Sequence, residues 1–300
     1  MTIPSSVAGP TPTVPFVRRR YSVASIVGEL WRARDLVTQL VRRDLTLRYT
    51  QAVMGVAWAV LMPLLIVGAG LVLRLVIATL SNATIGGASV ASLAVRALPW
   101  AFFAGALSTA TQSLISHANL IGKVYFPRES LPLASVLAQA PDLAVGLVVV
   151  VLVLPILGVR LPWTSLWAVA MLLRLVVFTT GCALMLSCAN LFFRDVKYIV
   201  QVVLNFGVFA TPVFFEPQML GRKGAAVMLA LPLSPFIQAM DVAMIRGHNL
   251  LTPLTVETAK GPIAVWAPWM LGYAAGIALL TVTAGLLIFR RASSRFAEMA

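Results

Sequence analysis

The chain has 300 residues, of which 60% are hydrophobic and only 11% are charged, whereas soluble domains carry roughly 25% charged residues. Two stretches, Tyr49 to Leu73 and Gly261 to Phe289, contain no charged residue, and each exceeds the about 20 residues that cross the hydrocarbon core of a bilayer. This composition excludes a soluble globular domain, a disordered chain and a secreted disulfide scaffold, and it predicts an all-α polytopic membrane protein.

The N-terminal region divides into two parts. Residues 1–21 contain four prolines among serines and threonines and are predicted to form a mobile tail. In residues 22–50, apolar side chains recur at helical spacing with arginines between them. This pattern predicts an amphipathic helix that lies in the membrane interface. The alternative is an ordinary surface helix that packs on a soluble neighbour.

The rest of the chain, residues 51–300, is predicted to form a transmembrane domain of six helices. The spans are expected at residues 56–80, 93–114, 131–157, 163–191, 196–215 and 263–289. Residues 216–246 hold an apolar stretch too short to span, framed by glycines and prolines, and are expected to form re-entrant helices. A plain extracellular loop is the alternative. Four tryptophans at outer span ends are interpreted as an interfacial belt: Trp163, Trp167, Trp266 and Trp269.

The distribution of positive charge predicts the orientation. Most Lys and Arg residues outside the spans fall in segments on the same side of the membrane as the two chain ends. Cytoplasmic segments of membrane proteins carry an excess of Lys and Arg. Both termini are therefore predicted to be cytoplasmic. The net charge of +13 is spread over these membrane-flanking segments rather than along one soluble face, so no nucleic-acid partner is expected.

Groups typical of an enzyme are sparse. The Gly122–Lys123 pair lacks the glycine five positions earlier that a phosphate-binding loop requires. His117 and His248 are far apart in sequence, which argues against a metal cluster. We therefore predict no catalytic residue, no metal and no cofactor on this chain, and a conduit rather than an enzyme.

Four short motifs follow one another along the chain. They are RRDLTLRY at residues 42–49, leading to Gly55, Trp58 and Pro63; NLIGKVYFPRE at residues 119–129; NLFFRDV at residues 190–196; and Thr211–Pro212. In this order, on a six-span chain with an amphipathic N-terminal helix, they resemble the membrane subunit of type-2 ABC exporters for lipid-linked polysaccharides, which include O-antigen, capsule, teichoic acid and galactan exporters. The resemblance runs from about residue 21 to residue 300.

The resemblance implies that residues 119–129 form a coupling segment that docks on a separate ATPase subunit. Aromatic side chains can fill an apolar socket there while charged ones set the register at its rim. A basic loop that only anchors the topology is the alternative. The coupling residues implied are Asn119, Gly122, Lys123, Tyr125, Phe126, Arg128 and Glu129.

Further residues are expected at the same cytoplasmic surface. Arg194 and Asp195 are interpreted either as a local ion pair that caps span four or as a contact with the ATPase. The others join the interface helix to span one: Arg42, Arg43, Asp44, Arg48 and Tyr49.

The resemblance also implies a homodimer that encloses the transport path between spans one and five of the two subunits. Two ATPase copies would supply the ATP and Mg chemistry. Aromatic rings suit such a path because they stack on the apolar faces of sugar rings, although aromatics in spans also serve packing or an interfacial belt. The candidates for lining the path are Trp58, Phe206, Phe209, Phe214 and Phe215.

Asp142 and Arg174 each fall about 16 Å into predicted spans three and four, near the membrane midplane. Because an unpaired charge is costly there, we predict a structural ion pair between them. The alternative is that Arg174 contacts a substrate phosphate.

The function that this sequence favours is the permease subunit of an ATP-driven exporter of lipid-linked polysaccharide in a bacterial cytoplasmic (inner) membrane. The basic residues between Arg18 and Arg48 would attract either the pyrophosphate of the cargo or anionic membrane lipids. One alternative is an exporter of small lipids or drugs with the same architecture. The other is a membrane-embedded glycosyl or prenyl transferase, which would require clustered acidic residues.

Overall fold

The computed structural model describes residues 23–50, 57–81, 86–118, 126–258 and 261–293. Most of these residues are helical. The two N-terminal helices are α1 (Val23–Arg32) and α2 (Arg34–Thr50), and the long helices that follow are α3 (Ala57–Ser81) and α4 (Gly87–Ser116). The middle of the chain forms α5 (Ser130–Leu137), α6 (Ala140–Ile156), a short turn at Trp163–Ser165 and α7 (Leu166–Phe192).

The C-terminal third is more irregular. It consists of α8 (Val196–Ala210), a turn at Pro217–Leu220, α9 (Gly221–Ala230), α10 (Ser234–Met244), strands β1 (Leu254–Thr258) and β2 (Gly261–Trp266), and α11 (Trp269–Ser293). The strands pair antiparallel, with Val256 opposite Ile263. The expectation of an all-α chain therefore omits one β-hairpin.

Among the described residues, four segments are long and apolar enough to cross a membrane: Gly87–Ser116, Ser130–Ile156, Trp163–Phe192 and Trp269–Ser293. The pair of α9 with its preceding turn and α10 would count as a fifth, but it is bent by 115°. A bend of this size fits the re-entrant segment expected at residues 216–246. The helices at predicted spans one and five are α3 and the shorter α8.

The structure differs from the sequence-based boundaries at several places. Helix α4 begins at Gly87 rather than at residue 93, and α8 ends at Ala210 rather than at residue 215. The interface helix is broken at Ala33, and predicted span three is broken at residues 138–139, just before Pro141. Predicted span six begins at Trp269 rather than at residue 263 because β2 occupies residues 261–266. Pro268 disfavours helical backbone at the residue before it, so the helix starts after the proline.

The buried apolar side chains form two separate cores. The larger, which we call the central core, joins α4, α6, α7, α8, α10, the hairpin and α11. The smaller, which we call the terminal core, joins α1, α2, α4, α5, α7 and α11 through these side chains: Ile26, Val37, Leu40, Leu114, Leu131, Ala134, Leu184, Cys188, Leu286 and Phe289. Because Ile26, Val37 and Leu40 are buried in it, α1 and α2 pack on the bundle through one face.

Helices α7 and α11 pack with their backbones in close approach. A Cβ atom built at Gly181 would lie 2.4 Å from the carbonyl carbon of Thr281, and one at Gly285 would lie 2.7 Å from the carbonyl oxygen of Gly181. These glycines are therefore required for the two helices to lie this near each other.

The structure contradicts one of the four belt assignments. Trp163 and Trp269 are exposed, whereas Trp167 packs partly buried against the central core. Trp266 is fully buried, and its indole Nε1 donates to the carbonyl oxygen of Leu250 at 2.9 Å. Its position in β2 turns the ring inward, so the belt assignment of Trp266 is wrong.

Candidate coupling surface and transport path

The end of the predicted coupling segment is anchored inside its own chain. Asn119, Gly122, Lys123 and Tyr125 lie outside the described residues. Phe126 packs, partly buried, against the terminal core. Its ring is therefore not fully available to fill a socket on another protein.

Arg128 and Glu129 both bind to the last helix. The Nη1 of Arg128 donates to the carbonyl oxygen of Ser293 at 3.0 Å. Glu129 is only 2% exposed and pairs with Arg290, which also pairs with Glu29 of α1. Burial raises the pKa of the Glu129 carboxyl, and the Arg290 guanidinium opposes that shift.

The end of α2 is held by Asp142. The Nη1 of Arg48 lies 3.0 Å from Oδ2 of Asp142 and also donates to Gln139, and the Tyr49 hydroxyl donates to Oδ1 of Asp142. Burial, with a smaller contribution from Asp142, raises the pKa of Tyr49 to about 12. As the third residue of α6, Asp142 also lies where the helix dipole favours a carboxylate.

The predicted Asp142–Arg174 pair is wrong. The Nη1 of Arg174 instead donates to the carbonyl oxygen of Ala170 at 3.4 Å and lies 3.6 Å from the sulfur of Met171. The segment from residue 131 is not one straight helix, because α5 ends at Leu137 and α6 begins at Ala140. The break before α6 and the approach of α2 give Asp142 other partners.

A polar cleft lies beside α2. The Nε2 of His117 accepts from Arg43, and the Nδ1 of His117 lies 2.8 Å from the carbonyl oxygen of Ser113. The Oδ1 of Asp44 lies 3.8 Å from the Nε2 of His117. Arg42, another residue predicted at the cytoplasmic surface, is exposed. The cleft has a volume of about 320 Å³ and is lined by Asp44, Leu47, Arg48, Thr109, Gln112, Ser113, Ser116, His117 and Ser135.

The Asn190–Val196 motif holds two helices together through Asn190. Arg194 and Asp195 are both exposed, and the ion pairs found among the described residues do not join them, so the predicted local pair is wrong. The buried Asn190 side chain donates to the carbonyl oxygen of Thr111 at 3.0 Å and accepts from the backbone N–H of Lys197 at 3.1 Å. It links α7 to α4 and to the start of α8, a role that the sequence analysis missed.

The predicted path aromatics fall into two groups. Phe206 and Phe209 are 69% and 49% exposed, on a face of α8 that also presents Tyr198, Val202 and Val203. Phe214 is 7% exposed and packs against Phe209, with ring centroids 5.2 Å apart, while Phe215 is partly buried against the central core. The side chain of Trp58 lies outside the described part of the chain.

Five charged residues form a buried cluster that the sequence analysis did not assemble. Arg96, fully buried in α4, lies 3.2 Å from Glu216 and 3.2 Å from Asp241. Arg74 of α3 lies 2.9 Å from Glu216, and Arg246 lies 3.4 Å from Glu216 and 3.3 Å from Asp241. The ion cluster (Arg74, Arg96, Glu216, Asp241 and Arg246) therefore ties residues 216–246 to α3 and α4.

A usable signal for this cluster was present in the sequence. Arg74 and Arg96 lie within predicted spans, where a charge requires a partner, and Glu216 and Asp241 are the two acids of residues 216–246. Ser92 supports the arrangement, because it donates to Asp241 and accepts from Arg96. A search for acidic partners of the arginines in predicted spans would have indicated Glu216 and Asp241, whereas depth in the membrane alone did not.

Comparison with known proteins gives a consistent result over most of the chain. Residues 35–245 match the family described as ABC-2 type transporter. The chain is 26% identical over 266 residues to an O-antigen export system permease protein RfbA of Klebsiella pneumoniae, covering 88% of this chain and 95% of that protein. It is 28% identical over 247 residues to an RfbA of the same description from Myxococcus xanthus, covering 81% of this chain and 93% of that protein.

Proposed function

Because this chain belongs to the ABC-2 type transporter family, we propose that it is the permease subunit of an exporter that moves lipid-linked polysaccharide to the outer face of a bacterial inner membrane. The observation that carries the cargo assignment is the similarity to O-antigen export permeases, which extends over 81% and 88% of the chain. The family supplies the mode of action, in which a membrane subunit works with an ATPase.

The proposed assembly contains two copies of this chain and two copies of an ATPase that binds ATP and Mg. Both termini face the cytoplasm, so the coupling segment at residues 119–129, the ends of α1 and α2 and the C-terminal end of α11 share the ATPase side. The anchoring of Arg128 and Glu129 supports this arrangement, because a segment held on long helices can pass on a movement imposed at its tip.

The face of α8 with Phe206 and Phe209 is the proposed lining of the path between the two subunits. The polar Gln201 and Asn205 lie exposed on the same helix, and the Nε2 of Gln201 donates to Asn205 at 3.2 Å. Rings beside amides suit a carbohydrate, since the rings stack on its apolar faces and the amides bind its hydroxyl groups. Lipid-facing helices are generally more uniformly apolar than this one.

Co-purification tests the proposal. The chain is expressed with the ATPase of its source cell, purified in nanodiscs, and assayed for ATP turnover with and without lipid-linked polysaccharide extracted from the same cells. We expect an ATPase to co-purify and its turnover to rise with the extract but not with phospholipid alone. Failure of any ATPase to bind would contradict the permease assignment, and stimulation by phospholipid alone would favour the export of small lipids.

A further inference from the structure

Arg290, near the end of α11, lies where three parts of the chain meet. It pairs with Glu129 at the end of the coupling segment and with Glu29 of α1. We propose that Arg290 is a positioning residue that transmits movement of the coupling segment to α11 and α1. The inference rests on the proposed function, because it requires that an ATPase moves residues 119–129.

Two bonds fix the end of the coupling segment to α11. The first is the charge pair between Glu129 and Arg290, and the second is the bond from Arg128 to the Ser293 carbonyl oxygen at 3.0 Å. Both partners in α11 lie in its last turn. A displacement of Glu129 therefore acts on one end of a 25-residue helix.

The Glu129–Arg290 pair does not separate readily. Glu129 is 2% exposed, and a buried carboxylate that loses a compensating charge bears more of the cost of its desolvation. Glu29 is more exposed, at 40% of its side chain, so its bond to Arg290 is more strongly screened by solvent. The pair with Glu129 is therefore the firm connection, and the pair with Glu29 couples α1 more loosely.

Movement of α11 extends to α7. Gly285 lies five residues before Arg290, and its backbone approaches Gly181 so closely that a Cβ atom would lie 2.7 Å from the Gly181 carbonyl oxygen. Two backbones in such contact have no layer of flexible side chains between them to absorb a shift. Arg290 thus connects the coupling segment to a rigid pair of long helices rather than to a single helix.

The test compares Arg290→Gln with Arg291→Gln in the complete complex with its ATPase in nanodiscs. Arg291 is the adjacent residue and is exposed, so its substitution removes the same charge at nearly the same place. The measured quantities are the amount of ATPase bound, the basal ATP turnover, and the stimulation of turnover by extracted lipid-linked polysaccharide. We expect Arg290→Gln to keep the first two and to lower the stimulation about tenfold, with Arg291→Gln unchanged.

A rescue variant distinguishes a loss of movement transmitted through Arg290 from a general loss of folding. Arg290→Lys retains a positive charge beside Glu129 and is expected to recover about half of the stimulation or more. Native stimulation in Arg290→Gln, or equal loss in Arg291→Gln, overturns the inference. If Arg290→Gln lowers the amount of complex, Glu129→Gln replaces it, since the neutral amide avoids an unpaired buried charge. Native stimulation in that variant likewise overturns the inference, whereas absence of stimulation in the unmodified complex overturns the proposed function instead.

Discussion

At the scale of single residues, the ion cluster holds charged side chains away from water. Arg96 and Asp241 are 0% and 1% exposed, so their charges are compensated only by one another and by their neighbours. A buried pair of this kind contributes little relative to an apolar pair of the same shape, but removing one partner is strongly destabilising. The cluster therefore contributes less to stability than to holding residues 216–246 in one position.

Replacing Arg96 by Met tests that constraint. The substitution leaves Glu216 and Asp241 with less positive charge, and we expect it to lower the free energy of unfolding by about 3–5 kcal/mol. Thermal unfolding of the detergent-solubilised protein, followed by size-exclusion chromatography, measures the change. Arg160→Met is the control because Arg160 is exposed. Equal unfolding temperatures for the two variants would contradict a structural role of the cluster.

Residue types and apolar context predicted which residues need a partner, but they did not predict which partner Asp142 binds or which phenylalanines are buried. The cost of an intramembrane charge correctly indicated that Asp142 needs a partner, but sequence depth could not show that α2 ends beside it. Likewise Phe206 and Phe214 are the same residue type, eight positions apart, yet one is exposed and the other is buried. That difference arises where α8 ends at Ala210, which hydropathy alone does not locate.

At the scale of secondary-structure elements, hydropathy predicted where the long helices lie, and local backbone chemistry determined where they break. Pro141 and Pro268 mark the starts of α6 and α11, at places where the sequence analysis continued one apolar run. The β-hairpin was missed because residues 261–266 are as apolar as the helix that follows. Apolar runs of this length do not by themselves distinguish strand from helix.

The close approach of α7 and α11 gives a prediction for one element pair. Gly285→Ala places a methyl group against the Gly181 carbonyl oxygen, and we expect it to destabilise the protein by about 1–3 kcal/mol. The matched control on α11 is Gly276→Ala, since a Cβ atom there has nothing within 4 Å. The control should be neutral or slightly stabilising, because alanine favours helix. Thermal unfolding of both variants checks the difference, and equal effects would contradict the packing argument.

At the scale of the whole molecule, the exposed face of α8 is the surface on which the proposed dimer path depends. Phe206→Ala is expected to lower polysaccharide-stimulated ATP turnover while leaving thermal stability unchanged, because this ring is 69% exposed. Phe214→Ala is the contrasting variant: it removes a buried ring and should cost about 3–5 kcal/mol of stability. Unchanged stimulation in Phe206→Ala would contradict a path along this face.

The separation of the hydrophobic interior into a central core and a terminal core has a mechanical consequence. The long helices α4, α7 and α11 contribute side chains to both cores, whereas α1 and α2 contribute only to the terminal one and α10 only to the central one. On α4, Ala91 packs in the central core and Leu114 packs in the terminal core, about 35 Å apart along the helix axis. A displacement of α4, α7 or α11 therefore acts on the packing of both cores, whereas a displacement of α1 or α2 acts directly on the terminal core alone.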